Sequence, residues 1–129
     1  MRVHHVAVVC RSRENADRFY MGIMGLKKIK ASSLNKDLAK QIFDAACECQ
    51  IILYGNENFA VEVIVADSAA GKINPFVHLC LEEEASEEFF GKCQFAGLVV
   101  NRVQRGIHSL FLLKITTEIY WKSKNCLNK

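Results

Sequence analysis

The feature that most constrains this chain is that it reads the same way twice. Residues 3–10 (VHHVAVVC) are β-branched and apolar, the makings of a strand with a histidine in it. Behind Ser12, a candidate N-cap, Ala16, Phe19, Tyr20 and Ile23 recur at helical spacing as far as Met24. Gly25 then offers the positive φ on which helices often end. Residues 26–31 read as a second strand. Leu34, Leu38, Ile42 and Phe43, with Asn35 as a cap, predict a short helix. Residues 47–54 and 59–67 are apolar runs around Gly55-Asn56-Glu57-Asn58, which signals a hairpin. The small polar stretch 67–74 (DSAAGKIN) reads as a linker, and after Pro75 the order begins again. A strand at 76–81 holds His78, and Ser86 can cap a helix with Phe89, Phe90, Cys93 and Phe95 among its apolar positions. Gly97 ends that helix, and strands follow at 98–103, 107–113 and 115–121.

Both halves are therefore β-α-β-β-β, an internal duplication. Gly25-Leu26 and Gly97-Leu98 lie 72 residues apart, His5 and His78 lie 73 apart, and Glu62 and Glu118 only 56 apart. The last spacing shrinks because the second copy lacks the short helix near 35–43. The expectation is one α+β domain over 1–129, with module one at about 1–68, a linker at 67–75, module two at 76–121 and a frayed tail at 122–129. Two such modules would form a curved, partly open mixed sheet around a cavity, with helices outside.

Composition excludes several classes. Half of the 129 residues are hydrophobic and 24% are charged, which no disordered or low-complexity chain would show. The net charge of +3, from 17 Lys plus Arg against 14 Asp plus Glu, is too mild and too scattered for nucleic acid. No apolar run approaches the roughly 18 residues of a membrane span, and the start, Met1-Arg2-Val3-His4-His5, is unlike a signal peptide. The six cysteines include no CxxC pair, and Cys47 and Cys49 alternate on one face of the expected strand. Reduced thiols and a cytoplasmic setting follow. Lys27, Lys28 and Lys30 suit either a phosphate-bearing ligand or an exposed strand edge, and Glu82 to Glu84 with Glu87 and Glu88 a solvated surface.

Strand alternation picks out four residues. His5 shares a face with Val3, Ala7 and Val9, and His78 with Phe76 and Cys80. Glu62 falls with Ala60 and Ile64, away from Phe59, Val61, Val63 and Val65; Glu118 falls with Thr116 and Tyr120, away from Ile115, Ile119 and Trp121. Each carboxylate interrupts an apolar strand opposite its bulkiest row. One such His is ordinarily a core or surface residue, and one such Glu a solvent-facing one. Two of each, repeated symmetrically, would suit Zn, Ni, Co, Mn or Fe.

The residues that carry this pattern resemble a known family. His5, Phe19-Tyr20 with Met24-Gly25-Leu26, and residues 59–64 (FAVEVI) in the first module, with residues 76–79 (FVHL) and Glu118-Ile119-Tyr120 in the second, are similar to the vicinal oxygen chelate superfamily. That superfamily includes glyoxalase I, methylmalonyl-CoA epimerase, bleomycin- and fosfomycin-resistance proteins and extradiol dioxygenases. The resemblance implies a divalent metal on His5, Glu62, His78 and Glu118. It also implies Glu118 or Glu62 as the base of a glyoxalase I-like lyase or isomerase, which transfers a proton through an enediolate of a small oxygen-chelating substrate. A homodimer is implied as well. The alternatives are a metal-free binding protein of the resistance or sequestration kind, or another reaction such as epimerisation, thiol transfer to an epoxide or dioxygenation. The family commonly reaches its last Glu through a turn like Asp-Pro-x-Gly-Asn; here residues 110–118 (LFLLKITTE) contain no Gly, Pro or Asp, so the final hairpin must be rearranged. His4 and His108 read as surface histidines.

Overall fold

A computed structural model describes residues 1–66, 78–82, 86–105, 108–115 and 119–124, with side chains over 1–66 and 87–102. The chain divides into two compact units, Met1–Ile73 and Asn74–Lys129, which part inside the segment read as a linker.

The first unit runs β1 (Val6–Cys10), α1 (Arg13–Ala16) continued by a π-helical stretch (Asp17–Ile23), β2 (Lys27–Leu34), α2 (Lys36–Phe43), β3 (Cys49–Gly55) and β4 (Ala60–Val65). Its sheet has the order β1-β4-β3-β2, with β1 parallel to β4 and the other pairs antiparallel. Ser12 Oγ accepts from the Asn15 amide at 3.3 Å, which satisfies one of the free N–H groups at the start of α1. The wider π turn closes with Met24 N–H donating to Phe19 O at 2.9 Å, and the chain leaves the helix at Gly25 with φ 71°. Asn35 caps α2 through its Oδ1, which accepts from the Leu38 amide at 2.9 Å.

The helix presents Phe19 and Tyr20 to the sheet. Their rings meet edge to face at 5.1 Å, and Tyr20 stacks on Tyr54 of β3 at 5.1 Å. Val8, Ile52, Val61 and Val63 are buried with them. Beside this core, Asp17 accepts hydrogen bonds from Tyr54 Oη at 2.6 Å and from Lys28 Nζ at 2.9 Å. Burial pushes the Asp17 carboxyl up, but these bonds outweigh it and hold the group below the usual carboxylate range. The same burial and the same carboxylate push the Tyr54 phenol up. Because Val61 and Val63 are buried towards the helix, alternation puts Glu62 and Ile64 on the sheet's other face. At one end of that face α2 packs through Ala39, in a cluster with Cys49, Ala66, Leu34, Ile51 and Ile64.

The second unit runs β5 (His78–Glu82), α3 (Ser86–Phe95), β6 (Val99–Arg105), β7 (His108–Ile115) and β8 (Ile119–Lys124). Its sheet order is β5-β8-β7-β6, with β5 parallel to β8, the connectivity of the first unit repeated. The helix exits match too. Gly97, at φ 82°, donates to Gln94 O at 2.9 Å while Leu98 N–H donates to Cys93 O at 3.0 Å, and in the first copy Leu26 N–H donates to Tyr20 O at 2.9 Å. The fold is α+β, and the duplication inferred from the pattern is real at the level of topology.

Several details differ from expectation. Strand β1 begins at Val6, so His4 and His5 precede it rather than alternate within it. Cys47 precedes β3, so it does not share a strand face with the buried Cys49. Ser86 is already inside α3, and Phe95 is fully exposed although Phe90 and Cys93 are buried. Strand β7 continues through Ile115 and the described part of β8 runs from Ile119, and the expectation placed on Glu118 falls outside the described residues. Residues 122–124 are not a frayed tail. They pair with both β5 and β7, because β8 is a central strand whose backbone is hydrogen-bonded along both edges.

Candidate functional site

The first unit brings two of the expected residues together. The β1–β4 register sets Ala7 opposite Glu62, and His5 stands two positions before Ala7. His5 Nε2 and Glu62 Oε2 are 3.4 Å apart, on side chains 34% and 19% exposed. That separation is long for a hydrogen bond. It is ion-pair distance, and it also matches the separation of two ligands on one ion: with metal–ligand bonds of about 2.1 Å, a right angle gives about 3.0 Å between donors and a tetrahedral angle about 3.4 Å. An imidazole nitrogen and a carboxylate oxygen at this distance fit a divalent cation in both chemistry and geometry.

His4, which the alternation assigns to the opposite side, completes the arrangement. Its Nδ1 lies 2.8 Å from His5 Nδ1, with the rings edge to face at 84°. One ring donates and the other accepts. When His5 donates from Nδ1, its Nε2 lone pair is free on the Glu62 side, which is how a hydrogen-bonded neighbour sets the tautomer of a ligating histidine. The signal available in the sequence was the His-His doublet, not its place in an alternating pattern.

In the second unit, His78 opens β5 opposite Tyr120, and Cys80 stands opposite Lys122. The side chain of His78 and all of Glu118 lie outside what is described. Among the described residues, no three His, Cys, Asp or Glu gather as metal ligands do, so the fit there rests on the His5–Glu62 pair. His108 opens β7 opposite Arg105, at the far end of that strand from Ile115. The Lys27–Lys30 cluster belongs to β2, the edge strand of its sheet, and Lys28 is engaged with Asp17.

No protein-family model matches the sequence, and no curated protein matches it. Solved structures do. A glyoxalase family protein from Enterococcus faecalis superposes with a TM-score of 0.72 at 12% identity, over 96% of this chain and 97% of that one. The chain has the vicinal oxygen chelate fold. A glyoxalase family protein from Bacillus cereus gives 0.69 at 15% identity, covering 97% of this chain and 95% of its own. A mutant of the fosfomycin resistance protein FosX from Listeria monocytogenes, in complex with Mn(II) and 1S,2S-dihydroxypropylphosphonic acid, gives 0.71 at 9% identity, over 95% and 90% of the two chains. Identities this low establish the shared fold. Among the described residues, no helix is long and apolar enough to cross a membrane.

Proposed function

We propose that this chain is a divalent-metal-dependent enzyme that acts on a small substrate with two adjacent oxygens, as a lyase or isomerase of the glyoxalase I kind. The observation that carries the proposal is the 3.4 Å spacing of His5 Nε2 and Glu62 Oε2 on the sheet face away from the helix. The Mn(II) in FosX, a protein of the same fold, supports a metal at such a site. The proposed ligands are His5, Glu62 and His78, with Glu118 as the fourth ligand and a candidate base in the glyoxalase I pattern. A bound metal would supply Lewis acidity to the two substrate oxygens. The chain's own contribution is a partly exposed Glu62 carboxylate able to hold or move a proton, and an imidazole kept in register by His4.

The test is elemental analysis of protein purified without chelator, then loading with Ni or Zn and an assay of lactoyl-thioester formation from methylglyoxal and glutathione. Turnover that disappears in His5→Ala and Glu62→Gln together with bound metal is the expected result. A folded, metal-loaded protein without turnover removes the glyoxalase reading. A second reading, a metal-free binder of a small ligand, draws on the missing turn residues in 110–118, and protein purified with no metal would favour it. The proposed partner besides substrate is a second copy of the chain, checked by sedimentation. The proposed setting is cytoplasmic, in keeping with the free thiols of Cys10, Cys47, Cys49 and Cys93.

A further inference from the structure

Cys47 and Cys49 flank Glu48 where the chain leaves α2 and enters β3. Of the cysteines whose side chains are described, Cys10, Cys49 and Cys93 are buried and Cys47 is half-exposed. Cys49, 7% exposed, sits in the apolar cluster with Ala39, Ala66, Leu34, Ile51 and Ile64 that seats α2 on the sheet. An accessible thiol thus stands two residues from a buried one that anchors a helix. Burial pushes the Cys49 thiol up, and the charge of Cys47 pushes it further, so the two groups feel one another. Neither takes part in the reading of the His5–Glu62 pair.

Where Cys47 stands decides whether the two sulfurs can meet. In one continuous strand, residues two apart hold their Cβ atoms about 6.8 Å apart, whereas a disulfide needs about 3.5–4.5 Å. Cys47 is not in the strand. Its N–H donates to Ala45 O at 3.0 Å, closing a tight turn. Among the described residues, no β2 or β4 partner pairs with Cys47 or Glu48, and the ladder begins with Cys49 opposite Leu34. Backbone torsions at Cys47 and Glu48 can therefore rotate without breaking a ladder bond, and bring the Cα atoms within the roughly 4.4–6.8 Å of a disulfide. A ring closed over one intervening residue is tight, and strained disulfides are the readily reduced, regulatory kind.

We propose that Cys47 and Cys49 form a reversible redox pair, oxidised by hydrogen peroxide to a disulfide that loosens α2 from the sheet. The Cys47 thiolate attacks one peroxide oxygen: an S–O bond forms, the O–O bond breaks, and the leaving hydroxide takes the proton that Cys47 gave up. The Cys49 sulfur then attacks the sulfenic sulfur: S–S forms, S–O breaks, and hydroxide leaves as water with the Cys49 proton. Two thiols lose two electrons, and one peroxide is reduced to two waters. The tie draws Cys49 towards the turn and away from Ala39 and Ala66. The experiment treats the intact chain with hydrogen peroxide and blocks the remaining thiols. Digestion follows with trypsin, which cuts after Lys40, and a glutamate-specific protease, which cuts after Glu48 and Glu57. Because Glu48 lies between the cysteines, residues 41–48 and 49–57 should emerge as one linked pair, about 2 Da lighter than the two free peptides, and separate after dithiothreitol. Amides of α2 should exchange with deuterium about tenfold faster in the oxidised chain and recover on reduction. Cys49→Ser should stop at a Cys47 sulfenic acid that dimedone traps, and Cys47→Ser should leave Cys49 a free thiol. Peptides 41–48 and 49–57 that stay separate in peroxide-treated wild type overturn the proposal. So does Cys47 joined to a different cysteine or another chain, or α2 exchange that the disulfide leaves unchanged. Circular dichroism checks folding, and if a serine variant does not fold, the wild-type peptides still decide.

Discussion

Tyr54→Phe isolates the contact that locks the helix onto the sheet behind His5 and Glu62. Tyr54 is wholly buried, its ring stacks on Tyr20, and its Oη donates to Asp17 Oδ1 at 2.6 Å. The substitution keeps the ring and its stacking, so the apolar contribution cancels and one hydrogen bond to a charged acceptor is lost. Such bonds contribute about 1.5–3 kcal/mol. Asp17 keeps its bond from Lys28, and its side chain is 34% exposed, so water can replace part of what is lost. The lower end applies, about 1.5 kcal/mol out of a typical total of about 5–15 kcal/mol. In a domain of this length that lowers Tm by roughly 5 °C. Urea titration at neutral pH, followed by circular dichroism, should show the midpoint fall with the slope unchanged. The cycle completed by Asp17→Asn and the double variant should return a coupling energy above about 0.5 kcal/mol. A Tyr54→Phe midpoint equal to wild type, or a coupling of zero, would refute the assignment of this bond as the tie between helix and sheet.

Three further outcomes follow from the same fold. Gly55→Ala should cost about 1–3 kcal/mol: the added Cβ would lie 2.8 Å from Ile29 Cδ1, which can swing aside, but also 3.0 Å from Phe59 O, which belongs to the hairpin backbone and cannot; an unshifted unfolding midpoint would show that the hairpin gives way. Asp17 is held below its ordinary pKa of 3.8, so its contribution is fully present above that value and is lost as pH falls through the lowered one. Stability should therefore drop more steeply below about pH 4 in wild type than in Asp17→Asn, and parallel curves would contradict this. Burial pushes the Cys93 thiol up to about 11, so iodoacetamide at mildly alkaline pH should label the half-exposed Cys47 long before Cys93. Mass spectrometry that finds both labelled at equal rates in folded protein would sink that expectation.

How far the sequence could be read depended on whether a feature was set locally. Ser12, Asn35, Gly25 and Gly97 act on the two or three residues beside them, and each helix stands where its cap or exit placed it, apart from Ser86 at the start of α3. The face that Glu62 takes was legible because β4 sets the buried Val61 and Val63 between half-exposed neighbours. Phe95 was misread because hydrophobicity stood in for angle: at about 100° per residue, a position two beyond Cys93 lies about 200° round the helix and away from the sheet. Glu118 lies outside the described residues, in a stretch with few local signals. In residues 107–121 Lys114 is the one charge before Glu118 apart from His108, and no Gly, Pro or Asp marks a turn. Where that run folds back is set by pairing with β5, a strand some 40 residues earlier, and strand register is a property of the pair. A duplicated fold conserves this pairing because each copy must satisfy its own backbone, whereas the side chain at any one position is free to change.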